Sequence, residues 1–525
     1  MTARATTAEP AAPPATAPWI IALSVMLPTF MEVLDTSVAN VALPHIAGSL
    51  AASTDESTWV LTSYFVSNAI VLPATAWLGG LFGRKRFLLM CIAVFTGASI
   101  LAGAAPTLGA IIVARVLQGA GGGALQPISQ AILLESFPAE RRGSAMAVFG
   151  LGVVVAPILG PTLGGWITDN VSWRWIFYIN VPVGVAAVFM VHTFIEDPPY
   201  LRRRSAGRID WPGLGLLAVW LGGLQIMLDK GQEEDWFASS WIVTLAIITV
   251  VGLGAFLARE LTTSDPIVDL HVLRDRNFAT GVAMITLVGF VLYGTISLLP
   301  LFLQTLLGYP ATQSGYATSP RGFGAVAAML TVGRLVGRID TRWLIGTGFT
   351  LLAVSVYLLG RINLEIAMST VVWPLVLSGL ALGFVFVPLS ATTVGTLRRE
   401  DIGNATGIFN LMRNVGGSIG ISMVTTLLAR RAQIHQVVLA QHVSPYDPEA
   451  VQRLRDLEAM LTPQVGAQAA PAAAQAALYS ILVRQATLLA FIDNFRLMAL
   501  LALACVPLVL LLRRAKPTGE PLAVH

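Results

Sequence analysis

Charge is scarce in this chain: of 525 residues only 12% are Asp, Glu, Lys or Arg, while 55% are hydrophobic and the mean hydropathy is +0.72. A soluble fold of this size has no interior large enough to hide that much apolar surface, so lipid is the solvent. Lysine is almost missing. Lys85, Lys230 and Lys516 are the only three, and none follows the glycine that a Walker A loop requires. No polar stretch is long enough for a nucleotide-binding domain either, so the chain is not an ATP-driven pump. The two cysteines, Cys91 and Cys505, lie in apolar runs as small hydrophobes and offer neither a disulfide framework nor a metal cluster. The six histidines are scattered, no nucleophile and base are grouped, and no cofactor or metal is expected. The pI of 9.2 comes from short basic runs at the ends of apolar segments, which orient a membrane protein and do not form a nucleic-acid face.

What the chain has in quantity is long apolar runs. Fourteen of them, from 19–40 to 492–512, are each long enough to cross a hydrocarbon core of about 30 Å as a helix. Alternating strands of a β-barrel do not fit runs of this length. The fold class is therefore an all-α integral membrane protein. Of the 33 Lys and Arg, about 21 fall in tails and loops on one side if the N-terminus is cytoplasmic, which puts both termini in the cytoplasm. Residues 1–18, rich in Ala, Thr and Pro, read as a disordered cytoplasmic tail without the pattern of a cleaved signal, and 516–525 as a second tail.

An internal echo divides the rest. Gly79-Gly80-Leu81-Phe82-Gly83-Arg84-Lys85-Arg86 after the second run is matched by Gly333-Arg334-Leu335-Val336-Gly337-Arg338 after the tenth. Equivalent loops give a six-helix bundle over 19–200, a two-helix insert over 201–262 and a second six-helix bundle over 263–515. Transporters built from repeats place the substrate between the halves near the membrane midplane. The loop 430–491 is long for such a bundle and contains Pro445-Tyr446-Asp447-Pro448 and an amphipathic stretch from Glu449 to Met460. It reads either as a docking element for a periplasmic partner or as a helical cap over the outer mouth.

Charges inside the apolar runs are costly and point to function. Glu32 and Asp35 stand three residues apart on one helical face of the first run, and Arg115 sits in the fourth. A carboxylate there can take a proton from one side and release it to the other. Arg115 cannot shed its charge and needs an anionic or carbonyl partner. The expectation is that Asp35 and Arg115 meet, either as a proton-coupling pair or as a static clamp. Arg413 raises the same choice in the second half, and Arg321 lacks an acidic neighbour in sequence. Tyr64, Asn68, Gln126, Tyr293, Gln304 and Asn410 are polar positions that line a cavity or simply hydrogen-bond between helices. Gly152, Pro157, Gly160, Pro161, Gly164 and Gly165 make the fifth run either a hinge or a close-packing face. Gly79, Gly83, Arg84 and Lys85 form a basic turn that anchors the cytoplasmic side or gates it.

Together these motifs resemble the fourteen-helix drug:proton antiporters of the major facilitator superfamily, of the EmrB and QacA type and most closely EmrB. The resemblance rests on Leu34-Asp35-Thr36-Ser37-Val38-Ala39-Asn40-Val41-Ala42-Leu43-Pro44, on Arg115 through Gly123, on Gly152 through Gly165, and on Trp173-Arg174-Trp175-Ile176-Phe177-Tyr178-Ile179-Asn180-Val181-Pro182. It implies a major facilitator fold and export of small hydrophobic or amphipathic drugs from the inner membrane. It further implies proton coupling through Asp35 and Arg115, a hinge in the fifth helix, a periplasmic adaptor of EmrA type and an outer-membrane channel of TolC type. One departure stands out: Gly80 occupies a position where the family usually has aspartate, so Arg84 needs another partner. Export of one metabolite, such as a fatty acid, siderophore or aromatic acid, fits the same fold; a non-transporting receptor would have no use for Asp35 and Arg115.

Overall fold

The computed structural model describes residues 18–138, 141–197, 210–336, 338–444 and 446–513. The expected N-terminal tail, the Arg202-Arg203-Arg204 run and the tail 516–525 lie outside them. Among the described residues the secondary structure is helical apart from one isolated bridge between Val336 and Ile339. In chain order the helices are α1 (Pro18–Ser49), α2 (Thr54–Phe82), α3 (Arg84–Ala104), α4 (Leu108–Gly122), α5 (Leu125–Ser136), α6 (Arg142–Asn170), α7 (Trp175–Tyr178), α8 (Asn180–Phe194), α9 (Trp211–Lys230) and α10 (Ser240–Thr262). They continue with α11 (Arg276–Thr305), α12 (Ala311–Thr318), α13 (Pro320–Leu335), α14 (Thr341–Leu359), α15 (Met368–Val394), α16 (Ile402–Ala440), α17 (Pro448–Val465) and α18 (Ala470–Leu508). Twelve spans are long and apolar enough to cross a membrane on length and hydropathy alone. The α12–α13 pair and α16 occupy the places of the tenth and thirteenth expected spans, consistent with fourteen crossings in all.

Three crossings are broken in two: α4 and α5, α7 and α8, α12 and α13. Helices α1 to α8 form one bundle and α11 to α16 with α18 the other, and α9 and α10 pack on each other between them. The bundles meet along two seams, α6 against α13 and α2 against α16. On the side where α1 begins, called here the near side, these seams are sealed. Ser144 donates to the carbonyl of Gly333 at 3.0 Å and Thr406 donates to that of Pro127 at 3.1 Å. Every residue of α5 from Leu125 to Leu134 is buried, as is every residue of α15 from Val385 to Ser390. Toward the opposite, far side the pattern loosens, and Asn40, Pro44 and His45 of α1 and Trp373 of α15 are exposed.

Helix α6 runs unbroken through Pro157 and Pro161. Pro161 has no N–H to give the carbonyl of Pro157, one turn back, and Ser37 of α1 supplies the missing donor at 3.2 Å. That contact requires α1 and α6 to approach closely, and a Cβ at Gly160 would strike Ser37. Gly152 and Gly164 likewise leave room for Met26 and Val38, whereas Gly165 faces open space. Gly160→Ala should therefore lower the thermal unfolding temperature of the detergent-solubilised protein by several degrees, while Gly165→Ala leaves it unchanged. Equal behaviour of the two variants would mean that this glycine face is not what sets the packing.

At the far side α16 and α18 do not stop at the membrane. Each is 39 residues long, about 58 Å at helical rise, roughly twice a hydrocarbon core. The sequence places most of 430–491 in a loop; the structure makes it a helical stalk, with α17 capped by Asp447 and packed along α18. At the near side the insert is pinned by Arg259 Nη2 on Asp210 at 2.6 Å, a contact that holds the Asp210 carboxyl below the usual carboxylate range.

Candidate functional site

Asp35 is brought to Arg115 as the sequence leads one to expect, 2.6 Å from Oδ2 to Nη1, with both side chains sealed from solvent. The pair is not isolated. The amides of Gln118 and Asn180 donate to Asp35 Oδ1 at 2.8 and 2.7 Å, so three donors converge on one carboxylate. Ser99 accepts from both amides and donates to the carbonyl of Phe177. Arg115 Nε is held by the carbonyl of Val60 at 3.0 Å, and its guanidinium carbon lies 4.2 Å above the ring of Tyr64. Six helices, α1 to α4, α7 and α8, therefore supply one polar knot inside the first bundle. Gln118, Asn180 and Ser99 carry no charge, and nothing in the sequence distinguishes them from ordinary interhelical hydrogen-bonders. Their spacing is informative only in retrospect: Gln118 follows Arg115 by three residues on the same face of α4.

Glu32 lies one helical turn before Asp35 and faces the other bundle. Asn68 Nδ2 donates to its Oε1 at 3.1 Å, while its Oε2 is buried with no hydrogen-bond partner. The same Asn68 reaches Tyr64 Oη at 3.5 Å. Glu32, Asn68, Tyr64, Arg115 and Asp35 thus form a continuous chain from the seam to the buried pair. Across the seam, α5 and α16 interlock through polar side chains at helical spacing. Gln126 accepts from Arg413 Nη2 at 2.5 Å, and Gln130 accepts from Asn410 at 2.6 Å. The charge of Arg413 is felt at Glu32, so the seam carries one acid and one base from opposite bundles.

The remaining polar candidates lie apart from this cluster. Tyr293 of α11 packs its ring against Gly417 of α16, within the second bundle. Gln304 is exposed in the last turn of α11. At the near side, Arg84 finds the partner that Gly80 cannot provide: Glu135 of α5, 2.6 Å away and 51 residues on. Gly83 adopts φ +85°, open to glycine at little cost, and leads into a junction where Lys85 N donates to Asp197 at 2.6 Å and Lys85 Nζ to the carbonyl of His192. Arg84 also reaches α16 beside Gly403, so the basic turn touches both bundles. Among the described residues no group of His, Cys, Asp and Glu is placed to hold a metal ion.

The fold and these residues can be set beside known proteins. The Major Facilitator Superfamily signature matches residues 25–421. The multidrug export protein EmrB of Haemophilus influenzae is 40% identical over 434 residues, covering 82% of this chain and 84% of that one. EmrB of Escherichia coli K12 is 39% identical over 444 residues, covering 84% and 86%. The fatty acid resistance protein FarB of Neisseria gonorrhoeae is 41% identical over 427 residues, covering 81% and 84%. Among solved structures the human organic anion transporter MFSD10 superposes with TM-score 0.60 at 13% identity, over 92% of this chain and 99% of that one. The proton:xylose symporter XylE gives TM-score 0.55 at 13% identity, over 92% and 94%; at such identity these two speak to the fold alone. The chain is a multi-pass membrane transporter, not an enzyme, and belongs to the Major Facilitator Superfamily as a member of its EmrB-type group.

Proposed function

We propose that this protein exports drug-like amphiphiles across the inner membrane in exchange for protons, as the pump of a tripartite efflux system. The observation that carries the reading is the Asp35–Arg115 pair buried in the first bundle and linked through Tyr64 and Asn68 to Glu32 at the seam. A charge pair in that place is costly to build and of no use to a passive scaffold. The distribution of Lys and Arg puts the near side in the cytoplasm, with both termini there. The arrangement described is then closed to the cytoplasm. A proton arriving from the periplasm neutralises a carboxylate of α1, loosens the hold on Arg115, and shifts α1 and α4 relative to α2. Substrate leaves to the periplasm, the far side closes, the α5–α16 interlock parts, and the proton is released inside. The Gly and Pro face of α6 lets α1 and α6 slide against each other during this rocking, and Arg84, held by Glu135 within the first bundle, closes the near side where it touches α16 beside Gly403. One proton moving down 100 mV supplies about 2.3 kcal/mol, enough for a concentration ratio of a few tens. No nucleotide or bound cofactor takes part.

The stalk formed by α16, α17 and α18 is the docking element for a periplasmic adaptor of EmrA type, which passes substrate to an outer-membrane channel of TolC type. Its projection of about 25 Å beyond the membrane supports this, since a simple cap needs no such height. Deleting residues 444–464 should leave drug accumulation driven by an imposed pH gradient in proteoliposomes within twofold of the full chain, yet remove drug resistance in cells. Loss of both activities would place α17 in the transport cycle; retention of both would remove the adaptor from the scheme. Export of fatty acids is a second reading, favoured by the 41% identity to a protein named for fatty acid resistance.

A further inference from the structure

Five charged side chains are buried between the far and near ends of the bundles: Glu32, Asp35, Arg115, Arg321 and Arg413. Three are arginines and two are acids, so one positive charge is left over. Asp35 and Arg115 neutralise each other, and Glu32 lies in the field of Arg413. Arg321 remains. It is 8% exposed, its Nε is sealed without a partner, and no hydrogen bond or ion pair to its guanidinium exists among the described residues.

Along the helix it stands well away from either surface. Arg321 lies in the first turn of α13, about 15 Å of helical rise from the start of α12 and about 20 Å from the end of α13. A guanidinium that reached an interface would show far more exposure. Ser314 of α12 adds a second orphan: it is 1% exposed and its Oγ has no partner. Ser319, between the two helices, keeps right-handed helical dihedrals, so the helical phase carries through the break. Seven residues are two turns, which places Ser314 and Arg321 on the same face. Around them the buried positions Ala317, Ala325 and Ala328 are small and apolar, and Gly379 and Gly383 of α15 pack closely on this stretch of α13.

Unsatisfied donors in a low-dielectric interior are costly, and a fixed guanidinium fork with a hydroxyl above it matches a carboxylate or sulfonate. We infer that Arg321 and Ser314 form a binding site for the anionic headgroup of a transported amphiphile. This deepens the export reading and rests on it. The site belongs to the second bundle, whereas the proton-carrying acids belong to the first, so a bound anion and a bound proton act on opposite bundles.

The test uses the purified full chain in detergent without added phospholipid, with decanoate and decyltrimethylammonium as probes of equal chain length and opposite charge, titrated by calorimetry. Wild type should bind decanoate, and Arg321→Gln should weaken that binding at least tenfold while leaving decyltrimethylammonium unchanged. Arg321→Lys, which keeps the charge without the fork, should hold decanoate within about fivefold, and Ser314→Ala should weaken it two- to fivefold. The site is wrong if wild type does not bind decanoate, if Arg321→Gln binds both probes as wild type does, or if it weakens both equally. It is also wrong if phosphatidylglycerol displaces decanoate one for one, which would make the occupant a resident lipid. Should Arg321→Gln not elute as a single species, the Lys and Ala variants decide: unchanged decanoate affinity in both overturns the site. Export of a cationic dye by proteoliposomes, measured on the same preparations, tests the transport reading separately.

Discussion

Asp35→Asn is expected to abolish drug-dependent proton flux in proteoliposomes, a loss of at least about a hundredfold, and to destabilise the protein as well. Both effects follow from the geometry around one carboxylate. Asp35 accepts from Arg115, Gln118 and Asn180 at once. Asparagine has the same shape but one acceptor oxygen, and its amide must turn a donor toward at least one of these three donors. Arg115, wholly buried, is then left without its counter-charge. Breaking a buried pair from one side costs about 3–5 kcal/mol, because the surviving charge stays in low dielectric. Stability alone would not prove a role in coupling, so a second variant is needed. Asp35→Asn combined with Arg115→Gln removes both charges and should recover most of the lost thermal stability, yet it should remain unable to exchange protons for drug. Wild-type exchange in either variant would end the assignment of the proton to this pair, and recovery of exchange in the double variant would reduce the pair to a structural clamp.

The parts of this site that the sequence reveals are the parts that violate its background. An aspartate and an arginine inside apolar runs have no cheap explanation, and their pairing follows from their cost. Fourteen apolar runs could be counted because each is bounded by polar residues; twelve of them stand as helices long and apolar enough to cross a membrane. Neutral partners are invisible for the opposite reason: Gln118, Asn180 and Ser99 are common in membrane helices, and only three-dimensional convergence gives them a role. Tyr64 is legible as a polar position, but not that its face rather than its hydroxyl meets Arg115. Glu135 was hidden because its partner Arg84 lies 51 residues away, on another helix. The stalk was hidden because hydropathy ends near Leu428, while the chain beyond it continues as helix to Ala440. Apolar character marks where a helix meets lipid; propensity decides how far it goes on.

Locking the seam is the sharpest test of the motion. Cysteines in place of Gln130 and Asn410, bridged by a short bis-methanethiosulfonate reagent, should abolish transport completely, and a reductant should restore it. The native side chains at these positions join α5 to α16 through a 2.6 Å hydrogen bond, between Gln126–Arg413 and the near-side end of the seam. Four residues separate Gln126 from Gln130 and three separate Asn410 from Arg413, so the two contacts stack one turn apart and must open together. Each hydrogen bond contributes on the order of 1 kcal/mol net, or up to about 3 where the arginine is involved, a sum that thermal motion and substrate binding can overcome. A covalent bridge cannot be overcome in this way. Cys91 and Cys505 are both buried and should first be replaced by alanine so that the reagent reports on the seam alone. A single cysteine at either position, treated with the same reagent, should keep transport, because one attached chain does not join the bundles. Full transport in the quantitatively bridged protein would mean that α5 and α16 never separate, and that substrate crosses by a path which does not open this seam.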